Sequence, residues 1–359
     1  MIVRETVPIP ARHNILRIAV IRALHLGDFL LAVPAFRSLR AGFPRAEISL
    51  IALPWSRPFV DRFHRYLDRH VEYVGYPGLG EVEMDPARVR QFLDEQRDYA
   101  YDLVVQMHGS GDSSLPFALA LGGRLTAGYY SGRRPTDLSI GRPYPADQPE
   151  VLRNLGLAHM LGCPDTGTDL DFPLLDEDRE GLVRAVPRLA RYPRPWFGLH
   201  PGARPDARRW PPEYFGRVGT ELLERYGGTI FVTGGPGEDE TVREVRQRVG
   251  GRSVNLAGRT SLGSLAALIS MLDLYISNDT GPAHMAVALD TPSITIFGPA
   301  DHRRWSPLDA ERHPVVRHPV ACSPCTHWTC PIDHRCLRRL RPEVVLEAVE
   351  RLLSSEVAA

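Results

Sequence analysis

The sequence predicts an α/β chain made of two doubly wound, Rossmann-like domains facing a central cleft. Three observations carry that prediction. Short apolar runs rich in β-branched residues alternate with helical patterns. The alternation halts near the middle of the chain and then restarts. Several runs end in glycine or proline turns, where open parallel sheets bind their ligands. The 359 residues, 43% hydrophobic and 24% charged, suffice for two such cores.

In the first block the β-rich runs are Ile15 to Ile21, Ala46 to Leu53 and Tyr101 to Met107. Helical patterns at Phe29 to Ala41 and Pro86 to Gln96 lie between them, the rhythm of βαβ units. This block is the N-terminal domain, residues 1–170. Acidic, proline and arginine residues then mix through 171–195, including Asp176-Glu177-Asp178-Arg179-Glu180 and Tyr192-Pro193-Arg194-Pro195. That segment reads as an inter-domain linker with a short helix in it. The rhythm restarts at Trp196 to Pro201 and continues through Thr229 to Gly235, Ser253 to Gly258 and a unit from Leu272 to Pro299. These make a C-terminal domain, residues 196–340. The final stretch, 341–359, is a helix whose amphipathic part, Pro342 to Leu353, packs back on a domain surface.

Composition narrows the function classes. The formal net charge is zero, so no bulk field favours nucleic acid. No lysine occurs; all 43 basic residues are arginine. That removes a Schiff-base lysine and a Walker-type phosphate lysine together, and leaves phosphate recognition to arginine and backbone amides. Met1 to Asn14 holds Arg4, Glu5 and two prolines and does not resemble a secretory leader. No apolar run reaches membrane-spanning length. A cytoplasmic location is expected.

The most specific stretch is Asn278-Asp279-Thr280-Gly281-Pro282-Ala283-His284, which follows the apolar Tyr275-Ile276-Ser277. It reads as strand, tight turn and helix. Thr280 suits a helix cap, Gly281 permits close approach of a ligand to the backbone, and Pro282 suits a first-turn position. The amides and dipole of such a helix start favour an anion, typically a phosphate, with Asp279 and His284 able to add side-chain contacts. The plainer alternative is a well-capped helix. Further ligand candidates sit at other strand ends. Asp28, after the first run, is either a helix cap or a carboxylate available as general base. The arginines of His200 to Trp210, Arg204 and Arg208 among them, are either a solvated charge run or a clamp for a diphosphate. Glu238, after Gly234-Gly235-Pro236-Gly237, is placed to accept hydrogen bonds from a ribose or base.

These blocks together resemble glycosyltransferase family 9, the ADP-heptose:lipopolysaccharide heptosyltransferases. The matching segments are Leu26-Gly27-Asp28 through Pro34, Pro201-Gly202 through Arg209-Trp210, Gly234-Gly235-Pro236 with Glu238, Asn255 through Leu262, Asn278 through His284, and Phe297-Gly298-Pro299. The resemblance covers nearly the whole chain. It implies a GT-B fold, an acceptor-binding first domain, a nucleotide-sugar-binding second domain and inverting sugar transfer without a catalytic metal. It places Asp28 as general base and Asp279, Thr280, Gly281 and His284 in the donor-binding turn. Arg208 stands where the family usually has a phosphate-binding lysine, and Thr260 and Glu238 fall near the nucleoside contacts. The implied partners are ADP-heptose, as substrate rather than cofactor, and a glycan or glycolipid acceptor of the lipopolysaccharide-core kind, with peripheral contact with the inner membrane. The alternative is a sugar-nucleotide epimerase or a non-catalytic sugar-nucleotide-binding homologue on the same fold.

The chemistry fits these residue types. Glycosyl transfer passes through an oxocarbenium-like state, so one group must deprotonate the acceptor while others stabilise the leaving diphosphate. Asp28 suits the first task, and the helix start at Gly281 with Arg208 or Arg204 the second. No Asp-x-Asp motif stands at a strand end. His108 and the Gly109 to Ser114 loop also end a first-domain strand and are acceptor candidates. Cys322, Cys325, Cys330 and Cys336 form C-x2-C-x4-C-x5-C with His327 and His334 interleaved. A metal, disulfides and an inert packed loop all suit that spacing. Cys163 is isolated and reads as a buried small hydrophobe.

Overall fold

The alternation predicts parallel sheets, and each half of the chain builds one; each has six strands, among them Arg69–Glu72, Leu125–Tyr130, Ile140–Pro143 and Val315–Arg317, which the sequence pattern does not mark. The computed structural model describes residues 14–358; the stretch 1–13, which the sequence reads as no secretory leader, lies outside the described residues. The chain divides into two units, Met1–Asp169 and Leu170–Ala359.

The first sheet comprises β1 (Arg17–Ile21), β2 (Glu47–Ala52), β3 (Arg69–Glu72), β4 (Leu103–Gln106), β5 (Leu125–Tyr130) and β6 (Ile140–Pro143), in the order β3-β2-β1-β4-β5-β6. Its centre is apolar on both faces, with Ile18, Ala19, Val20 and Ile21 of β1 fully buried, because helices cover both sides of a parallel sheet. Order reverses between β1 and β4, so the crevice that doubly wound sheets use for ligands opens beyond Ile21 and Gln106. The expected helix over Phe29 to Ala41 is two helices, Leu26–Leu30 and Val33–Gly42. Pro34 explains the break: it has no N–H for the Leu30 carbonyl, and its ring crowds that carbonyl.

Arg22, which leaves β1, is only 2% exposed. Its Nε donates to the Asp28 carbonyl at 2.7 Å, and its Nη1 donates to the Met107 carbonyl at 2.6 Å and to Asn154 Oδ1 at 3.2 Å. Its Nη2 meets Glu150 Oε1 at 3.3 Å, and Arg153 Nη1 holds the other Glu150 oxygen at 2.6 Å. One buried side chain thus fixes the turns after β1 and β4 to the helix Glu150–Met160.

The second sheet comprises β7 (Trp196–His200), β8 (Thr229–Val232), β9 (Ser253–Asn255), β10 (Leu274–Asn278), β11 (Ser293–Phe297) and β12 (Val315–Arg317), in the order β12-β11-β10-β7-β8-β9. Its switch point lies between β7 and β10. The terminal helix runs longer than its amphipathic pattern, Pro342–Ala358, and sets Val345, Leu346, Val349 and Leu352 into a core with Phe197, Phe215 and Ile230. The segment 171–195 carries a helix, Asp176–Ala185, which packs on the helix Leu262–Ile269 of the same unit. Among the described residues no helix is long and apolar enough to cross a membrane.

Arg22→Met leaves the Asp28 and Met107 carbonyls without their donor and Glu150 with one partner fewer. It should cost about 3 kcal/mol or more of stability. Urea denaturation measures this; a loss below about 1 kcal/mol would show that water replaces the guanidinium.

Candidate active site

In the second unit the loops after β7, β8, β9 and β10 all emerge at one carboxyl edge, because every strand runs parallel. Asn278, the last residue of β10 and fully buried, organises them. Its Oδ1 accepts the Trp210 N–H at 3.0 Å, and its Nδ2 donates to the Pro201 and Gly202 carbonyls at 2.8 and 3.2 Å. Both ends of the arginine loop are thereby held beside the next residue, Asp279. Arg208, on a short 3-10 turn Asp206–Arg208, places Nη1 3.1 Å from Asp279 Oδ2. Asp279 is 3% exposed and the Arg208 side chain 36%, so the carboxylate lies beneath the guanidinium.

Gly281 and Pro282 open the helix Gly281–Ala288 as anticipated. Thr280 occupies the capping position in extended backbone, but its side chain makes no cap hydrogen bond; the Ala283 N–H is met by the Thr280 carbonyl at 3.0 Å instead. The first amides of a helix have no intrahelical acceptor. His284 is buried behind this turn. Burial, and then the Arg208 charge, lower its imidazole to about 4, so it is neutral at physiological pH.

Glu238 faces the same edge from the loop after β8. Its Oε2 accepts the Gly235 N–H at 2.7 Å, and its carboxylate lies so close to Gly202 that a Cβ there would meet Oε2 at 2.0 Å. A side chain at 202 would have to displace the Glu238 carboxylate. Thr260 sits after β9, in a turn tied to the Gly234 loop by a Gly258 N–H bond to the Gly234 carbonyl at 3.0 Å. Arg204 lies over the Trp328 ring, 5.4 Å from the centroid. Arg208, Asp279, Thr280, Gly281 and His284 are thus gathered at the switch point. Glu238 borders it across Gly202, Thr260 lies two strands away from β7, and Arg204 belongs with Trp328.

In the first unit Asp28 is half-buried on the helix Leu26–Leu30, and its Oδ2 accepts the His25 N–H at a long 3.4 Å. His108, just past β4, is buried and pairs through Nε2 with Glu81 Oε1 at 3.0 Å. Burial raises the Glu81 carboxyl, but the His108 hydrogen bond and charge outweigh it and leave the group below its ordinary value. Sequence reasoning missed Glu81, because nothing local connects it to His108, and likewise the clamping roles of Asn278 and Arg22. The cysteines are free thiols. Burial, then the neighbouring Cys322, Cys330 and Cys325, push the Cys336 thiol up to about 11.

The sequence profile of glycosyltransferase family 9 (heptosyltransferase) matches residues 89–335. The chain belongs to this family. It is 27% identical to lipopolysaccharide heptosyltransferase 2 of Salmonella typhimurium over 360 residues, 95% of this chain and 99% of that one. A Campylobacter jejuni lipooligosaccharide heptosyltransferase 2 is 33% identical over 174 residues, 47% of this chain; the chain spans about half, 54%, of that relative. The solved structure of Escherichia coli ADP-heptose lipopolysaccharide heptosyltransferase II superposes with a TM-score of 0.73 at 23% identity, covering 95% of this chain and 99% of that one. That likeness establishes the GT-B class of fold for this family member.

His284 gives a pH dependence. Its folded value of about 4 lies below the ordinary 6.5. As pH falls between those two values the unfolded chain takes up a proton that the folded chain refuses, so this contribution to stability is complete above about 6.5 and is lost toward 4. His284→Asn should therefore flatten the fall in Tm between about pH 7 and pH 4.5. His200 and His313, also lowered by burial, keep the remainder. An unchanged slope would contradict the buried neutral imidazole.

Proposed function

We propose that this family member is an inverting, metal-independent glycosyltransferase. It moves a heptose or related sugar from an ADP-activated donor to a hydroxyl of a lipopolysaccharide core or similar bacterial glycoconjugate. The observation that carries the reading is the Arg208–Asp279 pair beside the helix start at Gly281, on the ligand-binding edge of the second sheet. Family membership and the names of the relatives support the sugar and the nucleotide.

On this reading the acceptor oxygen attacks the anomeric carbon, a new C–O bond forms, and the bond to the donor diphosphate breaks. The acceptor proton passes to an Asp28 carboxylate oxygen, and the bonding electrons leave on the diphosphate. Asp28 suits the role because its one backbone contact is long, leaving carboxylate lone pairs for a hydroxyl. Arg208 and the amides opening the helix Gly281–Ala288 meet the negative charge that grows on the leaving group. Asp279 orients Arg208 rather than touching the anion. Glu238 and Thr260, on the β8 and β9 side of the edge, take the nucleoside. His108 and Glu81 face the acceptor, which a peripheral approach to the inner membrane would supply.

An epimerase would need an acid/base pair around the donor sugar. At the turn, Asp279 is engaged by Arg208, and His284 is held neutral and buried. Transfer is the better-supported chemistry.

Asp28→Asn should lower kcat by about 100-fold or more while changing ADP affinity only a few fold, because a missing base harms the transition state alone. Near-native turnover with the true acceptor would reduce Asp28 to a helix-turn residue. Arg208→Ala should weaken ADP binding by roughly 1.5–3 kcal/mol, the worth of hydrogen bonds to a charged group, with Arg208→Lys recovering part of it. Titration calorimetry decides, and unchanged affinity would mean that the guanidinium serves Asp279 only.

A further inference from the structure

The proposed reaction leaves four thiols unused. Cys322, Cys325, Cys330 and Cys336, with Ala207 and Ile332, line one small, largely enclosed cavity with room for about one water-sized sphere. Cysteines separated by two, four and five intervening residues thus border one cavity, and four thiols are the donor set that tetrahedral thiophilic ions take. The His334 N–H donates to Cys330 Sγ at 3.3 Å, the kind of backbone hydrogen bond that steadies a metal-bound sulfur. Among the described residues no three His, Cys, Asp or Glu side chains stand at ligand distance from a common point. The fit therefore lies in the donor set and the shared cavity.

The loop that carries these thiols is fastened to the donor-site loop. Trp328, between Cys325 and Cys330, accepts the Ala207 N–H on its carbonyl at 3.0 Å and lies under the Arg204 guanidinium. Ala207 immediately precedes Arg208 and itself lines the thiol cavity. The Cys325 N–H donates to the Pro299 carbonyl at 2.8 Å, which ties the same loop to the segment after β11.

We infer that the four cysteines hold one divalent thiophilic ion, zinc or ferrous iron, in a closed tetrathiolate site whose work is to fix the loop bearing Arg204 and Arg208. Four thiols release their protons to solvent and form four metal–sulfur bonds, with no change of oxidation state. Four protein ligands leave no open position, so the ion is structural and takes no part in transfer. The coupling to Arg208 rests on the donor-site reading; the metal site itself does not.

The test uses the full-length chain, expressed in medium supplemented with zinc and iron and analysed by inductively coupled plasma mass spectrometry. One equivalent of zinc or iron per chain is expected, and the variant C322S/C325S should lose it. With far-UV dichroism retained, that variant should bind ADP about tenfold more weakly. Metal at background in the wild type, or metal undiminished in the variant, overturns the site, as does recovery of the four cysteines as disulfides under non-reducing mass analysis. If the variant does not fold, chelator-stripped wild type titrated with Co²⁺ replaces it. A thiolate-to-cobalt charge-transfer band saturating at one equivalent supports the site, and its absence overturns it. Metal lost with ADP affinity unchanged overturns the coupling to the arginine loop. A metal-loaded wild type that binds no ADP would instead count against the donor-site reading.

Discussion

The ligand edge of the second unit depends on the Asn278 side chain. A parallel sheet delivers loops to its carboxyl edge but does nothing to fix them, and the loop after β7 runs ten residues from Pro201 to Trp210 before its helix begins at Pro212. Asn278 is fully buried and bonds both ends of that loop, accepting from Trp210 and donating to Pro201 and Gly202. Only a side chain that both accepts and donates can do this; a carboxylate at the same place has no hydrogen to give the two carbonyls. Each bond is worth about 1 kcal/mol, but a buried carbonyl left unpaired costs more than that, so the loop has little freedom to leave. The meeting of Arg208 with Asp279 follows, since Asp279 is the next residue along.

The first unit meets the same demand with a charge. Arg22 holds the Asp28 and Met107 carbonyls beyond the paired strands β1 and β4, and Glu150, itself shared with Arg153, neutralises it. A buried guanidinium is costly to desolvate, and a carboxylate with two partners is what makes the cost bearable. The geometry also explains why Asp28 is held by its backbone rather than by its carboxylate. The Arg22 fork reaches the Asp28 carbonyl, while the carboxylate oxygens keep only a long contact with the His25 N–H. Position is fixed without quenching the side chain.

How much of this was legible in the sequence follows from the range of each interaction. β1, β2, β4, β7, β10 and β11 announce themselves as continuous apolar runs because both faces are buried. β3, β6 and β12 lie at or near sheet edges and contain Arg69, Glu72, Arg142 and Arg317, so their sequences carry no such run. The turn at Asn278 to His284 was readable because its logic is local: a strand end, a glycine and a proline at a helix start. What the turn would meet was not. Arg208 and Asp279 are 71 residues apart, and Arg204 and Trp328 belong to separate loops that only the fold brings together. Even Thr280 shows the limit of local logic: it takes the capping position, but its side chain makes no capping hydrogen bond and the Ala283 N–H goes to the Thr280 carbonyl.

The arginine at 208 also bears on why this chain manages without lysine. A lysine ammonium is a compact point charge, and beside a buried carboxylate it would be drawn to that partner with its hydrogen bonds pointing wherever hydration dictates. A guanidinium is a flat fork with five donors. One N–H can be committed to Asp279 at 3.1 Å while the rest of the fork, on a side chain still 36% exposed, keeps donors for another partner. The buried aspartate then acts as a hinge pin that orients the cation, and the cost of burying its charge is met by the same contact. On the proposed reading, a diphosphate meets a donor plane already set in place, which is the form of preorganisation that favours the charge developing on a leaving group.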